Sequence, residues 1–372
     1  MRWLGYLLLL PLSVCAQQSG SAELARRAVE AHKRGDLPAA VRDYRKLLDG
    51  DAHLSKVRTN LAAALADMNR LDDAIQVLEA TPADQRSIPD IERALALAYY
   101  QKQNFPSAAG ELERLLASTP GDMRAISMLA DCYIRTARAD RAVALLAPVA
   151  KAHPADAELR YQFGTALVRG GKPELGLAEL EEAGRLGKNA DALLLAGATA
   201  LDLGLFQRAR QDLEGAISLN PAIPGAWTWT GMARDRVSDE EGAKDAFRKA
   251  LQADPRDFEA MFHLGAILYR ERDLEQARTY IDGALELQPS SVPARYAMAL
   301  VRSALGETEN AVQDLEAVTA AAPNWVEPHV KLASLYFRLR RQADGQREKL
   351  IVDTLKSEHK EQQVSMPELD KP

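Results

Sequence analysis

Proline recurs at a fixed interval along this 372-residue chain: Pro221, Pro255, Pro289 and Pro323 stand 34 residues apart, and Pro120 and Pro154 keep the same interval. Before each lies a stretch whose small and apolar residues recur four and three apart, as in Ala243-Phe247-Ala250 and Ala277-Ile281-Ala284. That spacing puts the side chains on one face of an α-helix. The proline then ends the helix, because it lacks the N–H and clashes with the preceding turn. A period of this length marks a repeat architecture in which each unit is one supersecondary element.

Extending the register outward gives ten units, starting at Ser21, Ser55, Pro89, Met123, Ala157, Ala190, Pro224, Phe258, Val292 and Val326. One step, from Ala157 to Ala190, is a residue short, and the gap falls near Gly184 and Gly187, where a connection absorbs it. The eighth place of every unit is Ala or Gly (Ala28 through Gly231 and Gly265 to Ala333), and so is the twentieth (Ala40 through Gly176 to Gly345). Two helices approach closely only where one side chain is a methyl or less. Larger apolar residues fill the places between, among them Leu61, Leu129, Leu264 and Leu332 on first helices and Leu78, Leu146, Phe247 and Leu315 on second helices. Composition agrees: 47% of residues are hydrophobic but only 6% aromatic, with abundant helix formers and few of the residues that sheets favour.

The best unit, Pro224 to Asp257, carries Trp227, Gly231, Ala243, Phe247, Ala250 and Pro255, and with its tandem copies it resembles the tetratricopeptide repeat over roughly residues 21–355. The pattern departs at Arg234 and Arg302, where Tyr or Leu is usual, and at Ala52, Arg86 and Lys188, which stand where other units have the closing proline. The resemblance implies an all-α, right-handed superhelical solenoid of about ten helix-turn-helix repeats, whose first helices line a concave groove. It implies a scaffold for a protein or peptide segment. One family mode is not assembled: the clamp for chaperone C-terminal carboxylates needs Lys and Asn where Ala25 and Val29 stand and Lys and Arg where Asp90 and Ala94 stand, although its middle Asn is matched by Asn60. The array, residues 21–340, needs a polar end. Residues 341–363, with Leu350, Ile351 and Leu355 as a narrow apolar stripe, suit a capping helix, and 364–372, with Pro367 and Pro372, a loose tail.

The N-terminus is of another kind. Met1 and Arg2 precede an apolar run from Trp3 to Cys15, too short for a membrane span, and Val14-Cys15-Ala16 supplies small residues before Gln17. Residues 1–16 read as a cleaved export signal, placing the mature chain in a periplasm or outside the cell. Leu12-Ser13-Val14-Cys15 also resembles a bacterial lipoprotein box, which would make Cys15 a lipid anchor. With cleavage after Ala16, Cys132 is the remaining cysteine. It stands at the tenth place, a mostly apolar column that also holds Glu30 and Thr199, and reads as a buried helix-packing residue.

The net charge of −6, with no basic block, argues against nucleic acid as the main partner. The six histidines are scattered, and there is no His-Glu-x-x-His pair, nucleophile elbow or phosphate-binding loop. No catalytic residue, metal site or cofactor is expected. In the family the groove side chains fall near the second, fifth, sixth, ninth, twelfth and thirteenth places. The thirteenth holds Lys33, Arg135, Arg169, Arg236, Arg270 and Arg338, either as cations favoured at helix C-termini or as a basic ladder along the groove. Groove aromatics gather late: Trp229, Phe262, Tyr269, Tyr296 and Phe337, against Tyr100 and Tyr161 earlier. Core packing is one explanation. The other is a solvent-facing aromatic–arginine patch for an acidic–aromatic segment, built from Trp229, Arg236, Phe262, Tyr269, Arg270, Tyr296 and Arg338. A carbohydrate-contacting scaffold in polysaccharide export, with sugars stacked on these rings, is the alternative.

Overall fold

A computed structural model of the chain describes residues 19–365. The expected export signal, residues 1–16 with Cys15, lies outside the described residues, as does 366–372 of the expected tail. The described residues form twenty α-helices and one 3-10 turn at Ala83–Gln85, with no strand among them. The helices come in pairs: α1 (Ser19–Lys33) with α2 (Leu37–Gly50), α3 (Ser55–Asp67) with α4 (Leu71–Glu79), α5 (Pro89–Gln101) with α6 (Phe105–Ser118), α7 (Met123–Arg135) with α8 (Ala139–Ala152), and α9 (Ala157–Arg169) with α10 (Pro173–Gly187). Then follow α11 (Ala190–Asp202) with α12 (Phe206–Leu219), α13 (Ala226–Arg236) with α14 (Glu240–Ala253), α15 (Phe258–Arg270) with α16 (Leu274–Leu287), α17 (Val292–Leu305) with α18 (Thr308–Ala321), and α19 (Val326–Arg338) with α20 (Gln342–Ser365). They fall into two compact units that divide at Leu195/Ala196, inside α11.

In each unit a helix packs on its own partner and on the helix that follows, as expected when no pair can bury its apolar stripe alone. The Ala/Gly places are the contact: every eighth- and twentieth-place residue is buried. At Gly231 an added Cβ would lie 2.6 Å from the Phe247 ring, and at Gly265 2.6 Å from Ile281, so the glycines are demanded by the large twenty-fourth-place side chains facing them.

The turn inside every pair is built alike. Its fifteenth-place residue is left-handed in all ten repeats: Gly35, Asn69, Gln103, Ala137, Gly171, Gly204, Ser238, Arg272, Gly306 and Arg340, with φ between 56° and 85°. Acidic or serine caps then start many helices; Asp122, Asp156, Asp257 and Ser291 each accept an N–H of the first turn. Local chemistry explains the irregularities. Pro82 follows the short α4, and α13 begins two residues into its unit because Pro224 and the left-handed Gly225 (φ 76°) precede it.

The terminal helix departs from expectation in one respect. Leu350 is 68% exposed, while Val352 is buried and Ile351 and Leu355 half-buried. The face against α19 therefore follows Gly345, Glu348 and Val352, a spacing of three and four residues that turns Leu350 outward. The helix runs two residues past 363, the expected end of the cap.

Candidate functional site

Within the second unit, α15 and α17 lie side by side and present the same places of consecutive repeats. Between them is a recess of about 350 Å3, lined by Phe262, Ala266, Tyr269 and Arg270 from α15, by Pro293, Tyr296, Ala297 and Leu300 from α17, and by Trp325. The helical residues are the fifth, ninth, twelfth and thirteenth places of one repeat and the second, fifth, sixth and ninth of the next. Its lining combines small residues, Ala266 and Ala297, with the rings of Phe262, Tyr269, Tyr296 and Trp325. Four of the seven site residues expected from sequence, Phe262, Tyr269, Arg270 and Tyr296, meet here.

Trp325 was missed. It is the last residue of its repeat, just ahead of α19, a place outside the groove series. Its ring lies 4.6 Å from that of Tyr296, tilted by 56°. The preceding chain, Ala322-Pro323-Asn324-Trp325, was the legible signal: an aromatic directly after a closing proline and turn.

The remaining three residues stand elsewhere. Trp229 is half-buried on α13. The Arg236 guanidinium lies over the Phe206 ring at 4.6 Å, beside a second, more open recess at Gly204, Leu205 and Ser238. Arg338 is exposed on α19.

Two expectations are corrected. The rings do not face solvent freely: Trp229, Phe262, Tyr269 and Tyr296 are all half-buried, because stacking of consecutive repeats covers one edge of a large side chain. Phe262 stacks on Phe258 (6.1 Å between centroids) and meets His263 edge-on at 5.2 Å. Nor do the thirteenth-place cations form a free ladder. Three of them reach the start of the preceding repeat's second helix: Arg135 over Phe105 at 5.0 Å, Arg236 over Phe206, and Arg270 onto Glu240 at 3.1 Å. Arg270 also pairs with Asp235, and Arg135 with Asp131 at 2.7 Å.

These neighbours set the electrostatics. Burial acts to lower Arg270, but Asp235 and Glu240 outweigh it and hold the guanidinium above its ordinary value. Its charge is therefore already answered, and the recess is an apolar cavity with a neutralised rim. Burial raises Tyr296, helped by Glu327, so its hydroxyl stays neutral. His263 stacks on Phe247 at 5.6 Å, nearly parallel, and burial pushes it below its usual value.

In the first unit the corresponding groups bond to one another. Tyr100 donates to Asp131 at 2.5 Å, and Gln162 and Ser127 share a hydrogen bond. Cys132 is fully buried and burial raises its thiol to about 12. Among the described residues no group of three His, Cys, Asp or Glu side chains is placed to hold a metal ion, and no helix is long and apolar enough to cross a membrane.

Comparison with known proteins gives a consistent result. Two family models, each described as tetratricopeptide repeat, match residues 31–98 and 99–162 and residues 161–226 and 230–292. The chain is 25% identical over 136 residues to anaphase-promoting complex subunit 3 of Schizosaccharomyces pombe, covering 37% of this chain and 20% of that protein. It is 35% identical over 86 residues to the probable biofilm formation methyltransferase WspC of Pseudomonas putida, covering 23% and 20%. The chain thus spans about a fifth of the length of these relatives. The C-terminal part of a TPR repeat-containing protein from Cytophaga hutchinsonii superposes with a TM-score of 0.53 at 16% identity, over 64% of this chain and 99% of that one, a likeness of fold.

Proposed function

The chain belongs to the tetratricopeptide repeat family, and from that premise we propose that it is a non-catalytic scaffold that seats an apolar side chain of a protein segment in the recess between α15 and α17. One observation carries the reading: groove places of two consecutive repeats converge on a single cavity walled by Phe262, Tyr269, Tyr296 and Trp325. Aromatic walls around a pocket, with polar groups at the rim, are the composition of an interface hot spot. Because Arg270 is held by Asp235 and Glu240, an apolar anchor replaces the acidic one expected from sequence.

The test is selection of peptides from a random library on the full chain, followed by affinity measurement against Phe262→Ala and Tyr296→Ala. Each variant is expected to weaken binding about thirtyfold or more, the effect of losing a hot-spot side chain of about 2 kcal/mol. Unchanged affinity in both, or binding of oligosaccharides in place of peptides on a glycan array, would contradict the reading.

The proposal places the mature scaffold outside the cytoplasm, on the strength of the apolar run and small residues before Gln17. Intact-mass analysis of the native protein is expected to show Gln17 as the first residue. A lipidated Cys15 would make it membrane-anchored instead, and a retained Met1 would refute export by this signal.

A further inference from the structure

The recess between α15 and α17 joins apolar rings to polar ends that the protein itself leaves unused. In several other repeats those ends are tied down. Tyr99, Tyr133 and Tyr336 each donate to the glutamate twenty residues before them, Tyr100 donates to Asp131, and the Trp227 indole donates to the Pro221 carbonyl. Among the described residues, the Tyr269 and Tyr296 hydroxyls and the Trp325 indole N–H have no hydrogen-bond partner, and none of these three polar atoms is buried from solvent. All three residues line the same recess.

Those donors limit what can fill the recess. No side chain in the lining is acceptor only: Trp325 and Arg270 can only donate, a tyrosine hydroxyl can do both, and the rest are apolar. Arg270 is answered by Asp235 and Glu240, which takes those carboxylates out of use as well. The recess therefore complements a neutral ligand rich in lone pairs and poor in N–H and O–H groups; partial charge is matched, not net charge. An α-helix spends its carbonyls internally and offers few. A strand brings an N–H with every carbonyl, and a sugar brings a donor with every hydroxyl. A proline-bearing segment in the polyproline II form fits. Its backbone has no internal hydrogen bonds, so its carbonyls are free, and each proline removes an N–H. Its stiffness also lowers the ordering cost of binding against aromatic side chains.

We infer that the recess takes a proline-bearing polyproline II segment of a partner protein, with proline rings packed on its aromatic side chains and backbone carbonyls accepting from Tyr269, Tyr296 and Trp325. The inference rests on the recess reading and narrows it from any apolar side chain to an N–H-poor backbone. Glu327, whose charge bears on Tyr296, is exposed on α19 and lies outside the lining, so it asks for no donor within the recess.

The probe is a capped decaproline peptide, set against a capped glycine–serine decapeptide carrying two leucines, which keeps apolar anchors and an N–H at every residue. Each is titrated into the full chain and followed by NMR. Decaproline is expected to shift the Tyr269, Tyr296 and Trp325 signals, with the indole N–H moving downfield as it gains an acceptor. It should bind about tenfold more tightly than the leucine peptide. Tyr269→Phe and Tyr296→Phe keep the ring and lose the hydroxyl. Each should weaken decaproline binding about fivefold, the worth of one hydrogen bond, and leave the leucine peptide unaffected. Decaproline binding unchanged in both variants would overturn the inference, and so would recess signals that answer the leucine peptide as strongly as decaproline; either result leaves the recess reading standing. Recess signals silent to both peptides would fail the recess reading itself, and the inference with it.

Discussion

At the residue scale, His263 carries a pH dependence whose sign follows from its burial, stacked on Phe247 and met edge-on by Phe262. Burial lowers its folded-state value below 6.5, so beneath that value the unfolded chain binds more protons than the folded one. Stability therefore rises with pH through that window and is lost on acidification. Thermal melts from pH 7 to 5 are expected to show the loss, and His263→Phe to reduce it; equal acid sensitivity in the variant would assign the effect elsewhere. The half-burial of the recess rings sets a second expectation. Tyr296→Ala should cost about 1–2 kcal/mol of stability, roughly half the cost of removing a fully buried aromatic, because Trp325 loses its partner. Tyr296→Phe, which keeps the ring contact, should be near neutral in a denaturant melt. Residue-scale detail was the least legible part of the sequence. Arg270 read as a free cation because its partners Asp235 and Glu240 lie 35 and 30 residues away and meet it only through stacking. Trp325 was missed because it stands outside every helix-face pattern.

At the element scale, the repeat's demands were legible where they fall on side chains and hidden where they fall on the backbone. The Ala and Gly columns announced the helix contacts, since a buried close approach tolerates little else. The left-handed fifteenth place was not announced, because glycine fills it in only four repeats and Asn, Gln, Ala, Ser or Arg in the others. Gly306 isolates the backbone contribution: an added Cβ there meets nothing within 4 Å, so Gly306→Ala should cost about 1 kcal/mol through φ alone. Ala137→Gly, at the equivalent place, should be neutral to slightly stabilising, since relief of φ 56° offsets the added freedom of the unfolded chain. Chemical denaturation of the two variants checks the pair. A Gly306→Ala variant as stable as the parent would mean that the turn relaxes. The terminal helix shows the same division: its charged composition marked a cap, but Val352 rather than Leu350 faces inward because the contact face is fixed by Gly345 against Phe337.

At the scale of the whole molecule, each repeat depends on the next, so stability is expected to be a nearest-neighbour sum. The repeats are equivalent as packing units, yet α15 and α17 combine rings, small alanines and an adjoining tryptophan into an apolar recess. That asymmetry is the basis of the functional claim. The most direct test is a chemical-shift map of the full chain titrated with a library-selected peptide. The account predicts changes concentrated on Phe262, Ala266, Tyr269, Tyr296, Leu300 and the Trp325 indole. Changes centred instead on Tyr161, Gln162 and Arg169, with those signals unmoved, would contradict it.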